Sequence, residues 1–135
     1  MEDSFSSAWI MYSIFHSVNE DKYSKLTDII AVADYSNHAI LTYSEFKEGL
    51  TILNNLGFVS SKDDKLIVSD TFKNWWTIKF SKKKRLYVHN EISEINKYIS
   101  KLKSSMDNKT DFTLTSESDF DKAVDEYLDK MNSKR

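Results

Sequence analysis

Thr42-Tyr43-Ser44-Glu45-Phe46-Lys47-Glu48-Gly49-Leu50-Thr51-Ile52-Leu53-Asn54-Asn55-Leu56-Gly57 runs directly into Phe58-Val59 and, after a polar interval, into Leu66-Ile67-Val68. Thr42 and Glu45 have the spacing of a capping box. The threonine hydroxyl can accept from the Glu45 amide while the glutamate carboxylate returns to the Thr42 amide. Phe46, Leu50 and Leu53 follow on one helical face. Gly57 stands where a residue of left-handed conformation ends a helix. Beyond it the period changes. Ser60 to Lys65 carries turn residues with Asp63-Asp64 at the tip, between two short apolar runs, which predicts an antiparallel hairpin. A helix with both ends marked, feeding a hairpin, is the pattern that decides the fold.

Working outward, Ser4 to Asn19 predicts a first helix. Ala8, Met11, Phe15 and Val18 form an apolar stripe, widened by Phe5, Trp9, Tyr12 and His16 on one side and by Ile10 and Ile14 on the other. Ser6, Ser13 and Ser17 leave only a narrow polar arc. A helix this apolar belongs inside a bundle or at a subunit interface. Leu26, Ile29, Ile30 and Ala33 mark a second helix, ending near Tyr35-Ser36-Asn37-His38. After the hairpin, Ser69 or Asp70 caps a fourth helix holding Phe72, Trp75 and Trp76, with Ile78 and Phe80 as further candidates. Asn90 to Met106 predicts a fifth helix with a seam of Ile92, Ile95, Ile99, Leu102 and Met106. A last helix from Ser118 carries Phe120, Val124, Tyr127 and Met131.

The chain has 135 residues, which suits one core, and 8 Phe, 7 Tyr and 3 Trp argue against a disordered chain. With no Pro and only 2 Gly, helices joined by polar turns are expected. A net charge of −2 excludes a polycation. The absence of cysteine removes disulfides, thiolate nucleophiles and Cys-based zinc sites. No apolar run of membrane-spanning length and no signal-peptide pattern occur, so the expectation is a soluble, cytoplasmic chain with no membrane partner.

Helix, helix, capped helix and hairpin, from Ser4 to Val68, is the order of a winged helix-turn-helix domain. Asp34-Tyr35-Ser36-Asn37-His38-Ala39, with Thr42, Glu45, Gly49-Leu50, Leu53 and Gly57, resembles a group of small uncharacterised bacterial proteins with a winged-helix core. The resemblance covers about half the chain. It implies a winged-helix core; together with the helices read beyond it, the expectation is a mainly α fold with a small β-hairpin, a winged-helix domain over residues 1–80 and a C-terminal helical extension over 81–135. That extension would pack on the core or mediate dimerisation, the homodimer forming through the first and fifth helices.

In a winged helix bound to DNA, the third helix enters the major groove and the wing touches the backbone. The candidate contacts are Ser44, Lys47 and Thr51 on that helix and Lys62 in the wing. Glu48 and Asn55 share the helix face. Acids outnumber bases from His38 to Asp70, which is poor equipment for neutralising phosphates. Basic charge gathers instead at Lys73, Lys79, Lys82, Lys83, Lys84 and Arg85, interleaved with Trp75, Trp76 and Phe80 and free of acids. The same residues also suit a basic helix end with the tryptophans in the core. Asp34 and His38 share a helical face, but one pair is short of a metal site, and a hydrogen bond in the turn is the simpler role. No nucleophile triad, phosphate-binding glycine loop or zinc motif is present, so neither catalysis nor a cofactor is expected. The expected function is nucleic-acid binding of a transcription-associated kind. The alternative is a non-catalytic protein-interaction module on the same scaffold.

Overall fold

The computed structural model describes residues 5–37, 39–62, 65–81, 87–102 and 115–133. In chain order these form α1 (Phe5–His16), α2 (Leu26–Asn37), α3 (Tyr43–Asn55), β1 (Val59–Lys62), β2 (Lys65–Val68), α4 (Asp70–Phe80), α5 (Val88–Leu102) and α6 (Glu117–Ser133). The protein is therefore mainly helical, with one small antiparallel hairpin. Val59 pairs with Val68 and Lys62 with Lys65. Leu66 and Val68 are buried on one face, as two-residue alternation requires.

The bundle is organised around α1, which packs on α2, α3 and α5. Ala8, Ile10, Met11 and Ile14 are fully buried, which is where a helix apolar on most sides has to sit. The expected polar arc does not face water: Ser13 and Ser17 are buried. Their hydroxyls donate back to the carbonyls of Trp9 (2.8 Å) and Ile14 (3.0 Å), so the burial leaves no donor unpaired. The Trp9 indole donates to the Ala33 carbonyl at 3.0 Å and to the Ser36 hydroxyl at 3.2 Å, which fixes α1 against α2.

The capping box of α3 forms as expected. Glu45 N donates to Thr42 Oγ1 at 3.1 Å and Thr42 N to Glu45 Oε1 at 3.0 Å. Gly57 takes a φ of 78°, a conformation cheap only for glycine. Gly49 serves a different end. A Cβ there would lie 2.5 Å from Ile10 Cδ1 and 3.6 Å from Ser7 Cα, so the missing side chain lets α3 close on α1. Between α1 and α2, Ser24 forms a one-residue antiparallel bridge with Leu66. Its amide donates to the Leu66 carbonyl (2.7 Å) and its carbonyl accepts from the Leu66 amide (3.1 Å). The Ser24 hydroxyl also donates to the Ile14 carbonyl, so one residue ties α1 to the hairpin.

The α5 seam folds back on α1: Ile92, Ile95 and Ile99 are buried in the same core as Phe46 and Leu50. A dimer built on these faces would have to open that core. Met106 and His38 lie outside the described residues. On α4, Phe72 is fully buried and Phe80 nearly so, whereas Ile78 is 80% exposed. On α6, Phe120, Ala123 and Tyr127 are buried against α2 and α3, and Met131 is exposed. The apolar stripe of α6 therefore ends one turn before the sequence spacing suggests.

The Tyr127 hydroxyl donates to Asp34 Oδ2 at 2.7 Å. Burial, then the Asp34 hydrogen bond and charge, push the phenol up to about 12 from an ordinary value of 10.0. The neutral phenol is the form that the folded state favours, so its contribution is complete below pH 10 and is lost as pH rises from about 10 to about 12. Between pH 9 and pH 11.5 the urea midpoint of the native chain should fall more than that of Tyr127→Phe. Equal falls in the two proteins would refute this.

Candidate nucleic-acid interface

α3 is held to the core by Phe46, Gly49, Leu50 and Leu53, all buried. The opposite face is open. Ser44, Lys47, Glu48 and Thr51 are exposed and, with Ile52, line a shallow depression along the helix. Thr51 Oγ1 donates to the Lys47 carbonyl at 2.8 Å, so its proton is engaged while its lone pairs remain available to a donor. Glu45 lies at the helix start with its carboxylate committed to the cap. Glu48 is thus the carboxylate that stands beside Lys47 on this face. Lys62 ends β1, opposite Lys65.

The second candidate surface is only partly described. Lys82, Lys83, Lys84 and Arg85 lie outside the described residues. Lys79, in the last turn of α4, is ion-paired with Glu94 Oε1 on α5 at 3.1 Å, and Lys97 lies 3.3 Å from the other oxygen. The Lys79 hydrogen bond, aided by Lys97, holds the Glu94 carboxyl below its ordinary range. Lys79 is therefore held by a carboxylate that it shares with Lys97, which weakens it as a phosphate contact.

The aromatic residues of this stretch face inward. Trp75 stacks on Tyr98 with ring centroids 4.3 Å apart and planes 4° apart, and Tyr98 stacks in turn on Phe58. Trp76 is half-buried, packs on Phe15 at 4.9 Å and donates its indole N–H to Glu91 Oε2 at 2.9 Å. The same oxygen lies 2.5 Å from His16 Nε2. The Glu91 side chain is 3% exposed and that of His16 is 31% exposed. Burial, followed by the Glu91 charge, raises the phenol of neighbouring Tyr12 above its ordinary value. Glu91 lies in the first turn of α5, where the helix dipole favours a carboxylate.

Sequence spacing missed this buried cluster, although a signal exists for it. Glu91, Ile95 and Ile99 recur every four residues, which places a carboxylate on the apolar face of α5. His16 sits on the apolar stripe of α1 in the same way. An acid and a base on two faces that must both be buried are candidates to meet.

Among the described residues, no group of three or more His, Cys, Asp or Glu is placed to hold a metal, and no helix is long and apolar enough to cross a membrane. No protein-family model, curated protein or solved structure matches this chain.

Proposed function

We propose that this chain is a winged-helix protein that binds duplex nucleic acid, with α3 as the groove-entering helix and the β1–β2 hairpin as the wing. The observation that carries the reading is the Ser24–Leu66 bridge. It joins the segment between α1 and α2 to the second strand of the hairpin, and the Asn54 side-chain amide, donating to the Val59 carbonyl at 3.0 Å, holds the first strand at the end of α3. The open face of α3 then offers hydroxyls and one lysine for base edges and phosphates. Among the described residues, α5 packs on α1 and α6 on α2 and the buried side of α3, and Ser44, Lys47 and Thr51 stay exposed. A second reading, a protein-interaction module, draws on Glu48 beside Lys47 and on the Lys79–Glu94 pair, both of which subtract from phosphate attraction.

Binding to a labelled random duplex, measured as salt rises from about 50 to 200 mM, tests the proposal. Affinity should fall steeply with salt. Lys47→Glu should weaken binding about tenfold and reduce the logarithmic salt slope by roughly one phosphate's worth. Reversing Lys82, Lys83, Lys84 and Arg85 together should flatten the slope further. A folded protein with no duplex binding at the lowest salt would remove the nucleic-acid reading and favour the interaction module.

A further inference from the structure

A different surface, built by the end of α1, the turn that follows it and α4, has the composition of a small-ligand site. Phe15, Val18, Lys22, Lys73, Trp76 and Thr77 line an open depression of about 360 Å³. Two aromatic rings and two lysines meet there with no carboxylate among the lining residues. Neither Lys22 nor Lys73 forms an ion pair among the described residues. Both cations are therefore available to an anion, unlike Lys79.

The site is also held in shape. The Trp76 indole cannot turn freely, because its N–H is fixed to the buried Glu91 and its ring rests on Phe15 and Phe80. Lys22 takes a φ of 72°, the left-handed region that a lysine seldom enters. The turn that imposes it is closed by the Asn19 side chain, whose Oδ1 accepts from Asp21 N and Tyr23 N, and by the Asn19–Tyr23 backbone bond. A strained, closed turn thus carries a lysine to the rim of a fixed indole.

We propose that this depression binds a mononucleotide, with the base against Trp76 and Phe15 and the phosphate between Lys22 and Lys73. An aromatic surface supplies stacking and a pair of ammonium groups supplies charge. Glu91 is a positioning residue here, acting through the indole. None of the lining residues belongs to α3 or the hairpin; Lys73 and Trp76 belong to the basic stretch of α4, and Lys22 is the cation that sets this site apart from both candidate duplex surfaces.

The test is a titration of the protein with adenosine monophosphate, adenosine or inorganic phosphate, following the tryptophan indole N–H resonances by NMR. The Trp76 signal is assigned with Trp76→Phe. Adenosine monophosphate should shift the Trp76 signal with millimolar or better affinity, and the other two probes should bind at least about tenfold more weakly. Lys22→Gln and Lys73→Gln should each weaken the nucleotide about fivefold, and Lys22→Gln, which lies outside both candidate duplex surfaces, should leave duplex affinity unchanged. No shift at about 10 mM nucleotide would overturn the proposal, as would phosphate binding as well as the nucleotide. A single-stranded oligonucleotide that binds here about a hundredfold more tightly than the mononucleotide would reassign the site to single strands.

Discussion

Replacing Glu91 with alanine is expected to lower the unfolding free energy by about 3 kcal/mol, from a lost acceptor and a small cavity together. The loss has identifiable parts. The part-buried Trp76 N–H is left without its acceptor among aromatic neighbours, and a donor left unpaired away from water costs about 1–3 kcal/mol. The vacated carboxylate also leaves a void against α1. His16 contributes less, since its ring is partly exposed and can turn to water. Glu91→Gln keeps the shape and an acceptor oxygen, so its cost should be about 1 kcal/mol. Chemical denaturation of the two variants, with a cycle through Trp76→Phe, measures the terms separately. If Glu91→Ala came within about 0.5 kcal/mol of the native chain, the range of an ordinary surface change, the cluster would not hold α1, α4 and α5 together.

The same cluster marks the boundary of what the sequence reveals. Local rules recover the third helix well because its signals are local: the Thr42–Glu45 box, the 4–3 spacing of Phe46, Leu50 and Leu53, and the Gly57 stop all lie within one stretch. The hairpin follows from a change of period for the same reason. The polar arc on α1 fails because helical spacing reports polarity and not whether a hydroxyl can satisfy itself on its own backbone, as Ser13 and Ser17 do. Ile78 fails because a short amphipathic helix has room for one apolar face, and Phe72, Trp75 and Trp76 already fill it. The close approach at Gly49 needs knowledge of which helix lies opposite. The candidate interface divides along the same line. Exposure of Ser44, Lys47 and Thr51 follows from the buried face of their own helix, whereas the pairing of Lys79 depends on Glu94 from another.

Phe120→Ala is expected to release α6 from the bundle at a cost of about 3 kcal/mol, the lower end for truncating a buried phenylalanine. Phe120 is 2% exposed and packs on Phe46 (5.3 Å) and Tyr43 (5.7 Å), so one ring connects α6 to the buried side of α3. The remaining attachments are Ala123, the buried Tyr127 ring with its Asp34 hydrogen bond, and the Tyr43 hydroxyl donating to the Thr115 carbonyl. The core of α1, α2, α3 and α5 is closed by contacts that do not pass through α6, which packs on α2 and α3 alone to any extent. The loss should therefore appear as local opening. Amide exchange across residues 117–133 should accelerate about a hundredfold while α1 and α5 keep most of their protection. Uniform acceleration through every helix would show that α6 is part of a single cooperative unit, and no change would show that Phe120 does not anchor it. Duplex affinity distinguishes the consequences for α3. Release of α6 bares Tyr43 and Phe46 at the start of that helix without touching Lys47 or Thr51. Binding that survives the substitution places the contact surface on the outer turns, and binding that disappears with α6 places it on the packed end.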